Sequence, residues 1–390
     1  MAQTADVIIV GGGILGTSLA YYLAQKGVQD VVVLEKGPLA AGSTGKSAAI
    51  VRMHYTNAST ITLALRSREL FLEWADRVHV GPVYTPCGWL FFVPEDQQTN
   101  LAENLALQRS LGVTAETWDL SALRAAIPGI NTEGIGCVVH EAKSGYADPV
   151  AACDGLAESV RESGGRVLMG TPVSRILSRG DRVVGVSAHG ETYEAAHVVL
   201  AAGAWSGKLA AEIGVQLPLE ITREQEIILR PSDPAAAPNM SVSDFAARIY
   251  VRPRADGSLL VGRGYPKAYE KVDVDNYRED YDEEFVEDSL HRFLGRYPKL
   301  QGSVLTEGVV GLYTVTPDWH PLLGPVDGRP GLYVATGGSG HSFKIGPALG
   351  EMLADLIVNG SCDWADASLF QLQRFGAGRE FRSSYGGNRA

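Results

Sequence analysis

The sequence has few cysteines and no long hydrophobic run. Cys87, Cys137, Cys153 and Cys362 are too far apart to form C-x-x-C pairs, so neither a zinc site nor a disulfide framework is indicated. No apolar stretch could span a bilayer, and the first strand-like segment begins within about six residues, which leaves no room for a signal peptide. These absences predict a cytoplasmic protein with reduced thiols.

Basic residues are fewer than acidic ones. The chain has 34 lysines and arginines against 45 aspartates and glutamates, a formal net charge of −11. Such a balance disfavours nucleic acid or an anionic membrane as a partner. With 390 residues, of which 45% are apolar, the chain is long enough for a large core and more than one compact region.

The N-terminal segment has the pattern strand, glycine turn, helix, strand. Residues 6–10 form a short apolar run, and Gly11, Gly13 and Gly16 make a G-x-G-x-x-G turn that opens a helix. In this motif the glycines allow a tight turn, close approach of a pyrophosphate and close packing of the helix. Glu35 ends the second strand about 20 residues on, where a carboxylate accepts hydrogen bonds from a ribose. The motif predicts a dinucleotide site but does not separate NAD from FAD.

Two helix starts are marked further along the chain. Asp148 is expected to cap a helix that begins at Pro149. Near the C-terminus, a glycine-rich loop at residues 337–344 follows a strand, and Pro347 is expected in the first turn of a helix that runs to Val358.

Six segments together carry a resemblance to a known family. They occur in this order: residues 6–16, 42–46, 145–150, 201–205, 313–318 and 337–344. On these segments the chain resembles the FAD-dependent D-amino-acid oxidase superfamily over nearly its whole length. Within that superfamily it is most similar to the sarcosine oxidase and glycine oxidase branch, which includes the β subunits of heterotetrameric sarcosine oxidases and proline dehydrogenases.

The resemblance implies a fold that combines α/β and α+β parts. A Rossmann-like FAD-binding domain of residues 1–82, 145–220 and 305–375 is expected to interleave with a β-sheet-rich substrate-binding domain. That second domain comprises residues 83–144 and 221–304, and residues 376–390 are expected to form a loosely ordered tail.

The activity implied by the resemblance is FAD-dependent oxidation of a C–N bond by hydride transfer to flavin N5, giving an imine that hydrolyses. The expected substrates are sarcosine, glycine, proline or a D-amino acid, with O2 or a redox partner as acceptor. Two alternatives stay open: the flavin-bearing subunit of a dye-linked or heteromeric amino-acid dehydrogenase, and a biosynthetic-pathway oxidase of a larger amino-acid-derived amine. Homo- and hetero-oligomers are both compatible with these expectations, and no metal is expected.

The resemblance also implies the residues of the active site. Arg52 and Lys344 fall on positions that hold the substrate carboxylate, and their alternative is a role in structural ion pairs. Tyr250 and Tyr313 match aromatic positions of the substrate pocket, with ordinary core packing as the alternative. A flavin monooxygenase or an NAD-linked reductase shares the first glycine motif but has no need of this pair of cations.

A larger set of residues is implied to bind the cofactor. These residues are Gly11, Gly13, Ile14, Gly16, Glu35, Lys36, Ser43, Thr44, Lys46, Ser47, Val173, Ala202, Gly203, Trp205, Gly338, Gly340, His341, Ser342 and Lys344.

Three positions depart from the family pattern. Gly311 stands where monomeric sarcosine oxidases attach flavin through a cysteine, and Ala147 stands where heterotetrameric β subunits attach a second flavin through a histidine. The first departure predicts non-covalent FAD, and the second predicts that no covalent FMN is attached. Gly262, next to Arg263, replaces a lysine above the flavin, which leaves open either an oxidase that uses another cation or a dehydrogenase.

Overall fold

The fold is known from a computed structural model, which describes residues 2–383. Residues 384–390 of the predicted tail lie outside the described residues. The helices are α1 (Ile14–Gln25), α2 (Ala58–Leu72), α3 (Trp74–Val78), α4 (Gln98–Ser110), α5 (Leu120–Ala126), α6 (Pro149–Glu162), α7 (Ser206–Ala211), α8 (Glu283–Arg296) and α9 (Ser342–Asn359).

The strands are β1 (Gln3–Val10), β2 (Val31–Leu34), β3 (Ile50–Val51), β4 (Tyr84–Thr85), β5 (Trp89–Val93), β6 (Glu116–Trp118), β7 (Cys137–Glu141), β8 (Gly145–Ala147), β9 (Arg166–Leu168), β10 (Val173–Arg179), β11 (Arg182–Ala188), β12 (Glu191–Leu200), β13 (Glu220–Arg230), β14 (Ser241–Asp244), β15 (Ile249–Pro253), β16 (Leu259–Arg263), β17 (Glu270–Lys271), β18 (Val304–Val315), β19 (Leu322–Pro325) and β20 (Leu332–Thr336).

The first sheet has eight strands and surrounds the N-terminal motif. Its order is β10-β11-β12-β1-β2-β9, with β20 added beside β12 and β19 beside β20. The pairs β12–β1, β1–β2, β2–β9 and β12–β20 are parallel. Because helices cover such a sheet, its central strands are apolar where they are buried: the last four residues of β1, the last three of β12 and all four residues of β2 are buried.

Helices α1, α6 and α9 pack together with this sheet. Gly350 on α9 lies so close to α1 that an added Cβ would be 2.6 Å from Ser18. Helix α6 begins at Pro149, and the Asp148 carboxylate accepts hydrogen bonds from the amides of Val150 and Ala151 at 3.0 Å. The predicted cap of α6 is therefore confirmed.

The predicted start of the last helix is wrong by five residues. Helix α9 begins at Ser342, so Pro347 lies inside it rather than in its first turn. A proline interrupts the backbone hydrogen bonds of a helix interior. Here the amide of Ala348, the residue after the proline, donates to Ser67 Oγ on α2 at 3.0 Å. A neighbouring helix thus supplies a hydrogen-bond acceptor for this amide.

The second sheet has nine strands, ordered β17-β13-β16-β15-β14-β5-β7-β6, with β18 also paired to β13. Helix α8 packs on one face of this sheet, where Phe293 joins a separate apolar core. Together the two sheets confirm the predicted combination of a Rossmann-like part with a sheet-rich part. The exact domain limits stay a proposal.

One predicted limit differs from the sheet pairing. Residues 305–375 were expected in the FAD-binding part, whereas β18 pairs with β13 from Val304 to Val315. Gly308 and Gly311 interrupt the apolar pattern of this strand, so its long pairing is not evident from the sequence. We therefore propose that the second part extends to about residue 315.

A three-stranded sheet, β3-β8-β4, joins segments from different regions of the chain. It brings the end of β3, and hence Arg52, toward the space between the two large sheets. Between residues 2 and 383 there is no helix with the length and apolar character needed to cross a membrane.

Candidate active site

A cavity of about 510 Å³ lies where β1, β12 and β20 end, and it continues to the second sheet. Open α/β sheets bind ligands at the carboxyl ends of their parallel strands. Every residue predicted to bind the cofactor lines this cavity except Gly16, and so do Arg52, Tyr250 and Tyr313. The structure thus brings the predicted residues together, while their individual roles stay predictions.

The first glycine turn forms one wall of the cavity. Gly11 has a φ of +117°, and a Cβ there would overlap the carbonyl of Ala201. Gly16 lies behind the turn, where a Cβ would overlap the Gly11 carbonyl oxygen. The amide of Ile14 donates to Thr44 Oγ1 at 3.2 Å, so the loop after β2 closes over the start of α1.

Glu35 is held in a defined orientation beside this turn. Its Oε2 accepts from the amide of Gly12 at 2.7 Å, and its Oε1 accepts from the amide of Gly37 at 2.9 Å. A carboxylate has about four acceptor positions, so two remain for a ribose. The side chain can therefore brace the turn and contact a nucleotide at once.

Lys36 and Trp205 form a second wall. The Lys36 ammonium lies 3.1 Å from the centroid of the Trp205 indole, a cation–π contact. The indole Nε1 donates to Asp275 at 2.9 Å, and Lys208 pairs with the same carboxylate. These contacts connect the first sheet's loops to the segment after β17.

The second glycine loop closes the far end of the cavity. Gly337, Ser339 and Gly340 all have positive φ, and a Cβ on Gly340 would overlap the Tyr313 ring. The loop therefore needs glycine to lie against β18. Ser342, which begins α9, has a buried Oγ with no hydrogen-bond partner in the described chain.

His341 follows this loop and is fully enclosed. Its Nε2 lies 2.7 Å from the carbonyl of Trp319, and its Nδ1 lies 3.5 Å from the hydroxyl of Tyr55. Burial, and then the nearby charge of Lys344, hold the pKa of His341 well below its ordinary value. The ring is therefore neutral and donates through Nε2, because a carbonyl can only accept.

A second cavity of about 260 Å³ adjoins the first on the side of the nine-stranded sheet. Its walls are rich in aromatic rings, and both cavities share Arg52, Tyr250, Tyr313, His341 and Lys344. The other aromatic residues that line it are Trp89, Phe91, Phe245, Tyr265, Tyr269 and Trp319. The predicted cations thus lie at the boundary between a long cavity and a smaller aromatic one.

Arg52 and Lys344 are both poorly neutralised. The Arg52 guanidinium donates to the carbonyl of His54 and lies 4.7 Å from the Tyr55 ring centroid. The Lys344 ammonium lies 5.9 Å from the same centroid, and the residue is 8% exposed. No carboxylate between residues 2 and 383 lies within 4 Å of either cation, which is an arrangement suited to an external anion.

The electrostatics of Lys344 reflect this isolation. Burial first, and then repulsion by the Arg52 guanidinium, hold the pKa of Lys344 well below its ordinary value. An entering carboxylate would restore the charged form, because an opposite charge nearby favours ionisation.

Four further side chains at the boundary were not predicted from the sequence. Tyr55 lies under both cations, and Lys267 pairs with Glu224 while its ammonium lies 5.6 Å from the Tyr313 ring centroid. Glu226 lines the large cavity and accepts from the Tyr250 hydroxyl at 2.7 Å. The spacing of Glu224 and Glu226 in β13 places both on one face of the strand, and this spacing is the signal that could have identified them.

The departures from the family pattern have clear surroundings. A Cβ on Gly311 would be 3.2 Å from the Lys46 side chain, and one on Gly262 would overlap the Tyr250 ring. Residue 262 thus carries no cation. Lys267 places a different cation at the boundary of the two cavities, and Glu224 pairs with it.

Comparisons with known proteins agree with this geometry. The model of a family described as FAD dependent oxidoreductase matches residues 6–356. The chain is 27% identical to monomeric sarcosine oxidase from Bacillus sp. (strain B-0618), over 96% of this chain and 97% of that protein. It is 25% identical to sarcosine oxidase subunit beta from Rhodobacter capsulatus, over 96% and 89%. The solved structure of L-proline dehydrogenase from P. horikoshii superimposes with a TM-score of 0.89 at 25% identity, over 97% and 99%.

Proposed function

The chain belongs to the FAD dependent oxidoreductase family, and we propose that it oxidises the C–N bond of an amino acid or secondary amine that carries a carboxylate. The observation that carries this proposal is the pair formed by the half-buried Arg52 and the buried Lys344, neither of which has a carboxylate partner within 4 Å in the described chain. Charge-assisted bonds to both cations would hold the carboxylate and so orient the neighbouring C–H group.

The large cavity fits FAD. Gly11 and Gly16 keep the turn at its edge tight, since a Cβ on either would overlap backbone. Glu35 keeps acceptor positions free, and the Ser342 hydroxyl is buried without a partner in the described chain. When bound, FAD supplies the acceptor for the substrate hydride. We propose that FAD is held non-covalently, since Gly311 has no side chain suited to attachment, and that Ala147 attaches no second flavin.

Gly13 offers a direct test of this cradle. A Cβ at Gly13 would lie 3.0 Å from Thr44 Oγ1 and enter the cavity beside the start of α1. We expect Gly13→Ala to raise the Kd for FAD by about tenfold or more, because backbone contacts to a charged diphosphate would be lost. Titration of the apoprotein with FAD measures this, and Gly295→Ala, at an open position on α8, serves as the control. An unchanged Kd would remove Gly13 from the cofactor site.

The aromatic cavity favours the larger of the expected substrates. Sarcosine and glycine have no side chain to fill a space of about 260 Å³ lined by rings such as Trp89, Phe91 and Phe245. Burial of apolar substrate surface against these rings would add to the affinity. We therefore propose a proline-type or larger apolar amine as the preferred substrate.

A second candidate is the flavin-bearing subunit of a heteromeric dehydrogenase. The observation that favours it is the pairing of Lys267 with Glu224, which neutralises the cation nearest to the Tyr313 ring. A free cation near the flavin would accelerate the reduction of O2. Its neutralisation favours a protein acceptor over O2.

One experiment distinguishes these candidates. The FAD-loaded chain is mixed without oxygen with sarcosine, glycine, L- and D-proline, D-alanine and N-methyl-L-phenylalanine, and the visible absorbance is followed. Bleaching by any of them supports the proposal, and recovery on admitting air separates an oxidase from a dehydrogenase. If none of the amines bleaches the flavin, the proposed function is wrong, and bleaching by NADPH alone would indicate a reductase instead.

The low pKa of Lys344 predicts how anion binding depends on pH. A bound carboxylate raises the pKa of Lys344. At a pH above the pKa that Lys344 has without ligand, binding of the carboxylate is therefore accompanied by protonation of Lys344. Affinity is therefore highest at low pH and falls as pH rises from the free-state pKa toward the bound-state pKa. We expect this fall for tetrahydrofuran-2-carboxylate, which has no amine, monitored by the flavin spectrum. Lys344→Met should flatten the profile, and a profile shared by both proteins would contradict the assignment.

A further inference from the structure

Three neighbouring strands of the second sheet place Glu226, Gly262 and Tyr250 in one row. Glu226 on β13 is paired with Gly262 on β16, and Gly262 is in turn paired with Tyr250 on β15. Residues paired in this way point to the same face of a sheet. The row faces the large cavity, which Glu226 and Tyr250 both line.

Gly262 allows the two outer residues of this row to meet. Any Cβ at Gly262 would overlap Cζ and the hydroxyl of Tyr250, so the tyrosine lies across the glycine. Its hydroxyl donates to Glu226 Oε1 at 2.7 Å. The absence of a side chain at residue 262 thus creates a tyrosine–carboxylate pair on the wall of the cavity.

The surroundings of Glu226 leave its charge only partly compensated. The residue is 7% exposed, and no basic group between residues 2 and 383 lies within 4 Å of its carboxylate. Tyr250 donates to it, Arg252 and Lys267 attract its charge from a greater distance, and Glu224 repels it. Burial, the largest effect, raises the pKa of Glu226 to about 7.

Other groups at the boundary are less able to accept a proton. Glu224 pairs with Lys267, and Asp244 pairs with Arg296 at 2.5 Å. His341 is neutral but its Nδ1 lies beside the Tyr55 hydroxyl, and the repulsion from Lys344 opposes its protonation. Among these carboxylates and this histidine, Glu226 is the group that both lacks an ion pair in the described chain and contacts a hydroxyl on the cavity wall.

The proposed reaction requires the removal of one proton. An amino acid reaches the site mainly as an ammonium ion, whereas hydride can leave the carbon only when the nitrogen lone pair is free to form C=N. We propose that Tyr250 and Glu226 remove this proton: the substrate N–H proton passes to Tyr250 Oη as the hydroxyl proton passes to Glu226 Oε1. Ammonium and carboxylate become amine and carboxylic acid, with no oxidant consumed in this step. This inference rests on the proposed function.

The test compares the pH dependence of flavin reduction in Glu226→Gln, Tyr250→Phe and Gly262→Ala. The substrate is whichever of sarcosine, L-proline and N-methyl-L-phenylalanine reduces the wild-type flavin most rapidly at saturation. At neutral pH we expect each variant to be slower by roughly 100-fold, the range of a lost general base. As the pH rises through the ammonium pKa of the substrate, a growing share of the substrate is neutral in solution, so the variants should approach the wild-type rate. Gly295→Ala is the control.

An independent measurement needs no turnover. Infrared difference spectra of the oxidised holoenzyme should contain a carboxylic acid C=O band that titrates near neutral pH and is absent in Glu226→Gln. A rate loss that is equal at every pH would indicate a structural role and overturn the inference, as would unchanged rates. If wild type is reduced normally, such a result leaves the proposed function intact. If no amine reduces wild type, the proposed function fails and this inference with it.

Discussion

Replacing Lys344 with methionine is expected to raise the Kd for the substrate by about 30- to 100-fold. Methionine keeps most of the side-chain volume but removes the ammonium that faces the boundary of the two cavities. A hydrogen bond to a charged group is worth about 1.5–3 kcal/mol, and about 1.4 kcal/mol changes a dissociation constant tenfold. The Kd is obtained from the substrate dependence of anaerobic flavin reduction.

Two further variants make this result specific. Arg52→Lys keeps a positive charge but lacks the planar guanidinium that binds a carboxylate through two parallel bonds. The Kd for the substrate should therefore rise less in Arg52→Lys than in Arg52→Met. Lys271→Met removes an exposed lysine on β17 and should leave the Kd unchanged. FAD content should equal that of wild type in all of them. Wild-type Kd values in both Lys344→Met and Arg52→Met would show that these cations do not bind the carboxylate.

Replacing Arg374 with methionine is expected to destabilise the fold by about 3–5 kcal/mol, as observed when one partner of a buried ion pair is removed. The side chains of Arg374 and Asp318 are both fully buried. Arg374 donates to the two oxygens of Asp318 at 2.7 and 2.8 Å and to the carbonyls of His320 and Phe370 at 2.8 and 2.9 Å. The substitution leaves an uncompensated carboxylate and removes the Arg374 donor from the Phe370 carbonyl, while the His320 carbonyl keeps its bond from Thr316 Oγ1 at 2.7 Å.

Urea unfolding at one saturating FAD concentration measures this loss, because bound cofactor itself adds stability that depends on concentration. Adding Asp318→Asn to Arg374→Met should restore part of the stability, since the buried charge is then gone. Arg179→Ala breaks an exposed pair with Glu194, whose side chains are 73% and 41% exposed, and should cost no more than about 1 kcal/mol. Equal losses for Arg374→Met and Arg179→Ala would contradict the importance assigned to burial.

This ion pair also connects the C-terminal segment to the site. Asp318 accepts from the amide of Phe381 at 3.3 Å, and the Phe381 ring stacks on His320 with centroids 4.0 Å apart. His320 in turn packs edge-on against His341. The described part of the predicted tail is therefore in contact with the loop that closes the cavity.

Local sequence patterns were sufficient for several parts of the molecule. The G-x-G-x-x-G turn and the cap at Asp148 each depend on backbone geometry or on side-chain pattern within a few residues. Such features carry their signal in consecutive residues. For this reason the glycine turn, Glu35 and the family resemblance were accessible before the fold was known.

Other features depended on contacts between distant segments. The start of α9 was misplaced because a proline is usually found in a first turn, whereas here Ser67 of a neighbouring helix supplies a partner for the amide beside Pro347. The length of β18 was hidden because its glycines interrupt the pattern, and its pairing with β13 determines where it lies. In both cases a tertiary contact outweighed the local preference.

By itself the sequence determined the glycine turn and the family resemblance, because each is written in short runs of neighbouring residues. The tertiary structure alone decided that Tyr250 reaches Glu226 across Gly262 and that Asp318 meets Arg374. The physical reason is that strand register and helix packing determine which distant side chains touch. That register is a property of the whole sheet, since a shift of one residue would turn Glu226 to its other face.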